Sequence, residues 1–309
     1  MEYFLTLLGF FILIGSGNFL VRASVSLARY FGLSSLVIGV TVVAFGTSAP
    51  ELLVSLQAAI ADHPEIALGN VIGSNISNIA LVLAMTAVIF PISVNRNSIV
   101  IDWPVMMLAG ILLAVFALDQ QLQFYEGLIL NAILIGFVWF SIKKSRKSDI
   151  VSSEVEKTGK MNLPASVLVI IVSSAGLALG AKLLVDNASS IAQGLGVSER
   201  AIAISMLAVG TSLPELVTSV IAAFQKETDI SVGNIIGSNI FNILSVLGIT
   251  ALVKTVEVNP VIMIDIAVML VISLILFLMM VPSGKGKITR WEGMLLLLSY
   301  IIYLIYVFQ

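Results

Sequence analysis

Two acidic residues in apolar surroundings are the side chains of this sequence best suited to chemistry. Glu51 closes the motif GTSAPE at positions 46–51, and Glu215 closes GTSLPE at positions 210–215, an offset of 164 residues. A carboxylate inside an apolar, membrane-length segment is costly and is by default a functional-site hypothesis. Because the motif occurs twice, the sequence predicts a site built on two glutamates.

A second polar motif follows each glutamate at the same offset. It reads GNVIGSNISN at positions 69–78 and GNIIGSNIFN at positions 233–242. Residues four apart lie on one face of a helix, so Ser74 faces the same way as Asn78, and Ser238 the same way as Asn242. We expect these four to converge with the glutamates, and Asn75 and Asn239 to tie helices together.

The prolines of the first motif predict a broken helix. Pro50 and Pro214 have no N–H, so the carbonyls of Gly46 and Gly210 lose their donor. We expect neighbouring carbonyls to be freed, which at membrane depth is tolerated only where they line a cavity or bind an ion. The predicted cation ligands are Glu51, Glu215, Thr47, Thr211, Ser48, Ser212, Ser74, Ser238, Asn78, Asn242 and the carbonyls of Ala44 and Ala208, with Glu51, Glu215, Thr47 and Thr211 as the central metal ligands.

All of these candidate ligands offer oxygen. Such a set suits Ca²⁺, which takes about 6–8 oxygen ligands, and two glutamates offset the charge of one Ca²⁺. The same oxygens can instead hold several Na⁺ ions in separate sub-sites. A plainer reading also exists, because small and hydroxyl residues often line helix contacts in membranes. For Ser74 alone, packing is as good an explanation as ligation.

The composition predicts the elements that must position these residues. The chain has 309 residues, of which 59% are hydrophobic and 11% charged, and its mean hydropathy is +1.09. A soluble domain carries roughly 25% charged residues, so the chain is predicted to be an all-α polytopic membrane protein. The absence of cysteine excludes thiolate sites, and the single His63, read as a solvated loop residue, excludes a multi-histidine zinc site.

Ten apolar segments are long enough to span a membrane, which takes about 20 residues each. The first is read as a spanning helix, because it lacks a basic leader and a cleavage signature. The predicted segments are 4–28, 34–61, 65–90, 100–118, 124–142, 164–191, 198–224, 230–253, 260–281 and 290–308. The second and the seventh are expected to be discontinuous.

The offset of 164 residues divides the chain into two related halves. We predict a first five-helix repeat at 1–142, a cytoplasmic linker at 143–163 and a second repeat at 164–309. Five helices per half is an odd number, so the second repeat enters the bilayer inverted, as in many secondary transporters. With the N-terminus outside, basic loop residues fall mostly on one side, so the positive-inside rule predicts both termini outside the plasma membrane. The residues placed inside are Arg29, Arg96, Lys143, Lys144, Arg146, Lys147, Lys157, Lys160, Lys226, Lys285, Lys287 and Arg290, and those placed outside are Arg200 and Lys254.

At these paired motifs the chain resembles the calcium/cation antiporter superfamily, and within it the compact prokaryotic Na⁺/Ca²⁺ exchangers. The resemblance implies a membrane antiporter and not an enzyme, with Ca²⁺ and Na⁺ as transported ions and no resident cofactor. It implies that Glu51 and Glu215 bind both ions in turn and that the first and sixth helices slide to expose the site to either side. At position 242 some prokaryotic exchangers and the K⁺-dependent animal exchangers carry aspartate, whereas K⁺-independent animal exchangers carry asparagine as here, so the resemblance implies exchange without K⁺.

Two alternatives remain open on the sequence. One is an exchanger of the same fold that uses H⁺ or another counter-ion. The other, from a different class, is a cation channel with a glutamate constriction, because broken helices meeting at the membrane midplane suit either mechanism. The requirement for a counter-ion separates a channel from an antiporter. An intramembrane hydrolase is not favoured, since the sequence offers neither paired aspartates nor a Ser–His arrangement.

Overall fold

The structure, a computed structural model, describes residues 1–147, 161–195, 210–281 and 286–308. These residues are almost entirely helical. In chain order the helices are α1 (Glu2–Phe31), α2 (Ser35–Thr47 and Ala49–Ile60), α3 (Pro64–Ile89), α4 (Ser98–Asp119), α5 (Phe124–Lys147), α6 (Leu163–Gly194), α7 (Leu213–Phe224), α8 (Thr228–Val253), α9 (Ile262–Met280) and α10 (Arg290–Phe308). Each predicted segment coincides with a helix over the part that the structure describes. Residues 198–209 of the seventh segment and most of the predicted linker lie outside the described ranges.

Within those ranges, eight helices are long and apolar enough to cross a membrane, and nine if the two parts of α2 count as one span. The helices α3 and α8 are the central ones, since 72% and 89% of their apolar windows are buried, against 28% for α1 and 22% for α6. The outer helices expose large apolar side chains such as Phe11, Trp139 and Ile171. A helix that is apolar on its outer face is stable in lipid and not in water, so the fold is that of a multi-span membrane protein.

The helix ends follow from local sequence. Gly32 ends α1 in the left-handed conformation, with φ of 62°, which glycine adopts without steric cost. The Ser34 hydroxyl then caps α2 by accepting the N–H of Val37 at 3.3 Å. Pro64 begins α3, a position where its missing N–H costs nothing. These caps fix where the helices that carry the two polar motifs begin.

Four two-residue strands join the helix ends. They are β1 (Ile92–Ser93), β2 (Gln121–Leu122), β3 (Val256–Glu257) and β4 (Lys287–Ile288). The strand β1 pairs antiparallel with β4, and β2 pairs antiparallel with β3. Because β1 precedes α4 and β2 follows it, the two pairs lie at opposite ends of that helix.

Glycines allow the central helices to touch backbone to backbone. A Cβ added to Gly233 would lie 2.9 Å from the Leu36 carbonyl oxygen, and one added to Gly237 would lie 2.7 Å from that of Val40. The helices α1 and α6 cross in the same way, because a Cβ on either Gly9 or Gly180 would lie 2.9 Å from the other's carbonyl oxygen. The first contact draws α8 against α2 at the level of the polar motifs.

The break predicted in the second segment is present. Ser48 interrupts α2, and the two parts of the helix are bent by 43°. The second part and α7 begin alike, each with a proline in its first turn and a glutamate beside it. Further irregularity follows in α3 and α8, where π-helical turns span Asn78–Leu83 and Asn242–Leu247, a feature that often accompanies functional sites.

Candidate cation-binding site

The two glutamates lie where the sequence places them, in the first turn after each Gly-Thr-Ser motif. Glu51 is in the second part of α2 and Glu215 is in α7, and both side chains are 0% exposed. Each meets the positive end of its helix dipole, which favours a carboxylate. Among the described residues, neither carboxylate forms an ion pair with a basic side chain.

Hydroxyl groups from α2 and α8 converge on Glu215. Ser48 Oγ and Ser238 Oγ each donate to Glu215 Oε1 at 3.3 Å. Thr47 Oγ1 lies 3.2 Å from Ser238 Oγ and donates to Asn234 Oδ1 at 2.9 Å. The motif of the first half is thus bonded directly to the glutamate of the second half.

A matching contact joins α3 to the residues just before α7. Ser74 Oγ lies 3.1 Å from Thr211 Oγ1. Ser74 is 3% exposed, and Asn78, one turn further along α3, is fully buried. The sequence-predicted hydroxyls of both halves therefore meet in one region between α2, α3, α7 and α8.

Several oxygen atoms in this region have no hydrogen-bond partner among the described residues. They are Glu51 Oε1 and Oε2, Glu215 Oε2, Ser212 Oγ, Asn78 Oδ1 and Asn242 Oδ1. An isolated buried carboxylate is very costly, and in proteins such charges are paired or coordinate metals. Six oxygens, three of them on carboxylates, form a donor set that fits a hard cation such as Ca²⁺ or Na⁺.

Of the two predicted carbonyl ligands, Ala44 and Ala208, only Ala44 lies in the part of the chain that the structure describes. The prediction that the break leaves the Ala44 carbonyl without a donor is wrong, since that oxygen accepts the Ser48 N–H at 2.9 Å. The reason is that the chain bends at Ser48, after the last hydrogen bond of the first part has formed. A carbonyl oxygen has two lone pairs, so the Ser48 N–H still leaves one of them for a bound cation. Ala208 lies outside the described residues.

Two asparagines that the sequence did not single out hold the glutamates in place. Asn70 donates through Nδ2 to the Glu51 carbonyl at 3.5 Å and to Ser55 Oγ at 3.2 Å. Asn234 donates in the same way to the Glu215 carbonyl at 3.5 Å and to a hydroxyl of α7, Ser219 Oγ, at 3.0 Å. Asn70 and Asn234 could have been identified from the sequence, because each is the first asparagine of a GN-x-I-GSN motif. Ser55 and Ser219 carried no comparable signal.

Asn75 and Asn239 tie the central helices together, as predicted. Asn75 Nδ2 donates to the Asn239 carbonyl at 3.3 Å, which joins α3 to α8. Asn78 donates to Asn239 Oδ1 at 3.2 Å, and Asn242 donates to Asn75 Oδ1 at 3.1 Å. The amide nitrogens of the two candidate ligands are therefore occupied, whereas their oxygens are not.

The chemistry of this site is that of oxygen ligands. No cluster of three or more histidine, cysteine, aspartate or glutamate side chains occurs in the described parts of the chain. His63 is exposed next to Glu65 in the turn before α3, as expected of a solvated residue. The fold and this constellation together define a polytopic membrane protein with a candidate cation site in its core.

Comparison with known proteins assigns the chain to a family within that class. A family model described as "Sodium/calcium exchanger protein" matches residues 1–143 and 165–309. The chain belongs to the sodium/calcium exchanger family, whose members are transporters and not enzymes.

Full-length relatives agree with this assignment. The chain is 33% identical to the inner membrane protein YrbG of Escherichia coli over 97% of its own length and 94% of the relative. It is 37% identical to the putative antiporter CaxA of Alkalimonas amylolytica over 96% and 95% of the two chains. It is 31% identical to the sodium/calcium exchanger MaX1 of Methanosarcina acetivorans over 100% and 99%.

The fold is likewise that of a solved exchanger. Structures of the sodium-calcium exchanger NCX_Mj superpose with a TM-score of 0.84 at 34% identity, covering 99% of this chain and 98% of the other. Another structure of the same exchanger, soaked with Na⁺ and Sr²⁺, gives a TM-score of 0.82 at 35% identity over 97% and 96% of the two chains. The expectation of an all-helical membrane exchanger fold is confirmed.

Proposed function

We propose that this protein is a secondary antiporter that exchanges Na⁺ for Ca²⁺ across the cell membrane. The observation that carries the proposal is the pair of fully buried glutamates, Glu51 and Glu215, since three of their four carboxylate oxygens have no hydrogen-bond partner among the described residues. The family membership and the names of the relatives, a sodium/calcium exchanger among them, support the choice of ions.

The proposed ligands surround these carboxylates. Glu51 and Glu215 supply the negative charge, which offsets one Ca²⁺, and Ca²⁺ and Na⁺ compete for the same oxygens. A divalent cation gains more from two carboxylates than one Na⁺ does, so several Na⁺ ions are needed to displace it. The neutral ligands in this proposal are Thr47, Thr211, Ser48, Ser212, Ser74, Ser238, Asn78, Asn242 and the carbonyls of Ala44 and Ala208.

Strand pairing supports an inverted repeat. β1 and β3 occupy equivalent positions, since Ile92 and Val256 are 164 residues apart. Yet β1 pairs with β4 at one end of α4, whereas β3 pairs with β2 at the other end. Equivalent segments of the two halves therefore lie at opposite ends of the bundle. This is the arrangement expected of two five-helix repeats in opposite orientation. The distribution of basic loop residues supports placing both termini outside and the linker in the cytoplasm.

Charge neutralisation explains why the protein exchanges ions and does not leak. An empty site carries two buried negative charges, and moving bare charge through a low-dielectric barrier is expensive. Bound cations offset that charge and permit the site to open to the other side. The helices α1 and α6, joined backbone to backbone at Gly9 and Gly180, are suited to move as one body.

The exchange is proposed to be independent of K⁺. Asn78 and Asn242 are both neutral amides, so the site has two carboxylates and not three. A third acid at position 242 would add charge for a further monovalent ion. We therefore expect Ca²⁺ and Na⁺ to suffice.

The test is Ca²⁺ uptake into proteoliposomes loaded with Na⁺ and diluted into Na⁺-free buffer. Uptake that requires internal Na⁺ and is unchanged by K⁺ is the expected result. If an imposed pH gradient drives the uptake instead, the counter-ion is H⁺ and not Na⁺. Uptake that needs no counter-ion would mean a channel, and the antiport proposal would be abandoned.

A further inference from the structure

Behind the candidate site, two short chains of hydrogen bonds each end on a methionine sulfur. In the first, Asn239 Nδ2 donates to Met106 Sδ at 3.5 Å, and Asn78 Nδ2 donates to Asn239 Oδ1 at 3.2 Å. In the second, Asn75 Nδ2 donates to Met269 Sδ at 3.6 Å, and Asn242 Nδ2 donates to Asn75 Oδ1 at 3.1 Å. Each chain thus runs from a thioether through one asparagine to a second.

The sulfur sets the direction of each chain. A thioether has lone pairs and no hydrogen, so it accepts hydrogen bonds and never donates one. Asn239 must turn its NH₂ group towards Met106, which leaves its Oδ1 as the acceptor on its other arm. Asn78 must then turn its own NH₂ group towards Asn239. In the second chain the NH₂ group of Asn75 is turned both by Met269 and by the Asn239 carbonyl, to which it donates at 3.3 Å, and Asn242 is then oriented against Asn75.

The free end of each chain is an oxygen at the candidate site. Asn78 Oδ1 and Asn242 Oδ1 are buried and have no partner among the described residues. Asn78 follows Ser74 by one helical turn, and Asn242 follows Ser238 by one turn. Ser238 donates to Glu215, and Ser74 contacts Thr211, so both oxygens lie on faces that carry site hydroxyls.

Packing alone cannot fix these amides. The oxygen and the nitrogen of an asparagine side chain are nearly identical in shape, and only hydrogen bonding distinguishes them. A flipped amide would present an N–H donor to a bound cation and remove one ligand. Met106, Met269, Asn75 and Asn239 line a common small cavity. Their surroundings are therefore not packed tightly enough to fix the direction of the amides, and the hydrogen bonds must do so.

We propose that Met106 and Met269 are positioning residues of the cation site, which act through Asn239 and Asn75 to keep the carbonyl oxygens of Asn78 and Asn242 directed at the bound cation. This inference rests on the proposed function of that site. It assigns a role to two apolar side chains that contact no ion. In this arrangement Asn78 and Asn242 present only an acceptor oxygen to the site, because their NH₂ groups are bonded elsewhere. The site therefore favours a bare metal cation over a molecule that must accept a hydrogen bond.

The test replaces each methionine by leucine, which conserves volume and apolarity and removes the acceptor. Two quantities are measured for each purified full-length variant in detergent: the binding of radioactive Ca²⁺ and the melting temperature. Met106→Leu is expected to weaken Ca²⁺ binding by about fivefold, the equivalent of one net hydrogen bond. Met269→Leu is expected to weaken it by less, because the Asn239 carbonyl still accepts from Asn75. The melting temperature is expected to change little.

A matched control exists on α9. Met280 is 1% exposed, comparable with 3% for Met269, and lies in the same apolar core. No hydrogen bond to its sulfur occurs among the described residues, so Met280→Leu should leave Ca²⁺ affinity unchanged. Wild-type affinity in both Met106→Leu and Met269→Leu would overturn the proposal. The proposal would also be overturned if all three methionine variants lost Ca²⁺ affinity in proportion to their loss of melting temperature. That result would mean that the methionines act only through packing.

A double-variant cycle tests whether Met269 acts through Asn75. In an Asn75→Ala background that still melts cooperatively, Met269→Leu is expected to cause no further loss of affinity, because the link is already cut. A full additional fivefold loss would contradict the proposal. Glu51→Gln in the same binding assay separates this question from the proposed function: normal Ca²⁺ binding in that variant refutes the site itself, whereas a failure confined to the methionine variants refutes only their role.

Discussion

The hydroxyl of Ser48 on α2 donates to Oε1 of Glu215 on α7 at 3.3 Å. A residue of the first GTS-x-PE motif is therefore bonded to the glutamate of the second, 167 positions away. The two motifs build one shared site and not two separate ones. A change in either half is expected to affect the whole site.

Glu51→Gln and Glu215→Gln are each expected to reduce the initial rate of Na⁺-dependent Ca²⁺ uptake by at least about tenfold, because each removes one of two charges that offset Ca²⁺. The same variants should melt at or above the wild-type temperature, since removing an unpaired buried charge is often stabilising. Proteoliposome uptake and a thermal melt measure both. Glu65→Gln, at an exposed position in the first turn of α3, is the control and should transport normally. Loss of transport that tracks loss of stability would contradict the prediction.

Asn234→Ala is expected to impair transport more than Asn70→Ala. Both asparagines donate to the carbonyl of a site glutamate, but only Asn234 also accepts the Thr47 hydroxyl, at 2.9 Å. Hydrogen bonds between membrane helices contribute roughly 0.6 kcal/mol on average, so both variants should stay folded. The concentration of Ca²⁺ at half-maximal uptake is the quantity to compare. Equal effects of the two variants would show that the Thr47 contact does not matter.

Gly237→Ala is expected to destabilise the protein by roughly 1–3 kcal/mol, the cost of overpacking a core, and to reduce transport. The added Cβ would lie 2.7 Å from the Val40 carbonyl oxygen and 2.8 Å from Val40 Cα. These are backbone atoms, so α2 and α8 must separate and Thr47 moves away from Ser238. Thermal denaturation and uptake are the measurements. Gly136→Ala should behave as wild type, because Gly136 is exposed on α5 and a Cβ added there would have no neighbour within 4 Å beyond its own helix backbone.

The exposed ion pair between Asp62 and Lys254 is expected to contribute a small, salt-sensitive stability. Lys254 lowers the pKa of Asp62 by hydrogen bonding and charge. A carboxyl group with a lowered pKa contributes stability above its unfolded-state pKa, near 3.9, and loses it as the pH falls through the folded-state pKa. Lys254→Met should therefore lower the melting temperature slightly at neutral pH and low salt, and less so at high salt. A difference that persists unchanged in high salt would rule out this electrostatic origin.

Local sequence patterns determined the helices and the candidate ligands. Apolar length predicted where the chain spans the membrane, since lipid leaves no other partner for the backbone. Pro50 predicted the break near Ser48, because proline lacks the N–H that a continuous helix needs. The duplicated motifs predicted that Glu51 and Glu215 converge, and the structure places both in its core.

Tertiary structure decided which atoms meet. The helix pattern predicted that the Ala44 carbonyl would be free, but the bend comes one hydrogen bond later, so the Ser48 N–H occupies that oxygen. Asn70 and Asn234 read as ordinary motif residues until the packing of α2 on α3 and of α7 on α8 brought them to the glutamate carbonyls. For Met106 and Met269 the sequence indicated only that they belong to apolar segments.

The sequence by itself determined the class of the protein, its helices and the two glutamates of the site, because hydropathy, proline and a repeated motif act over short distances along the chain. Only the tertiary structure decided the pairing of Ser48 with Glu215 and the direction of the Asn78 and Asn242 amides. Those contacts join residues more than a hundred positions apart. Their geometry depends on how closely glycine lets α2 approach α8 and on which neighbour can only accept a hydrogen bond.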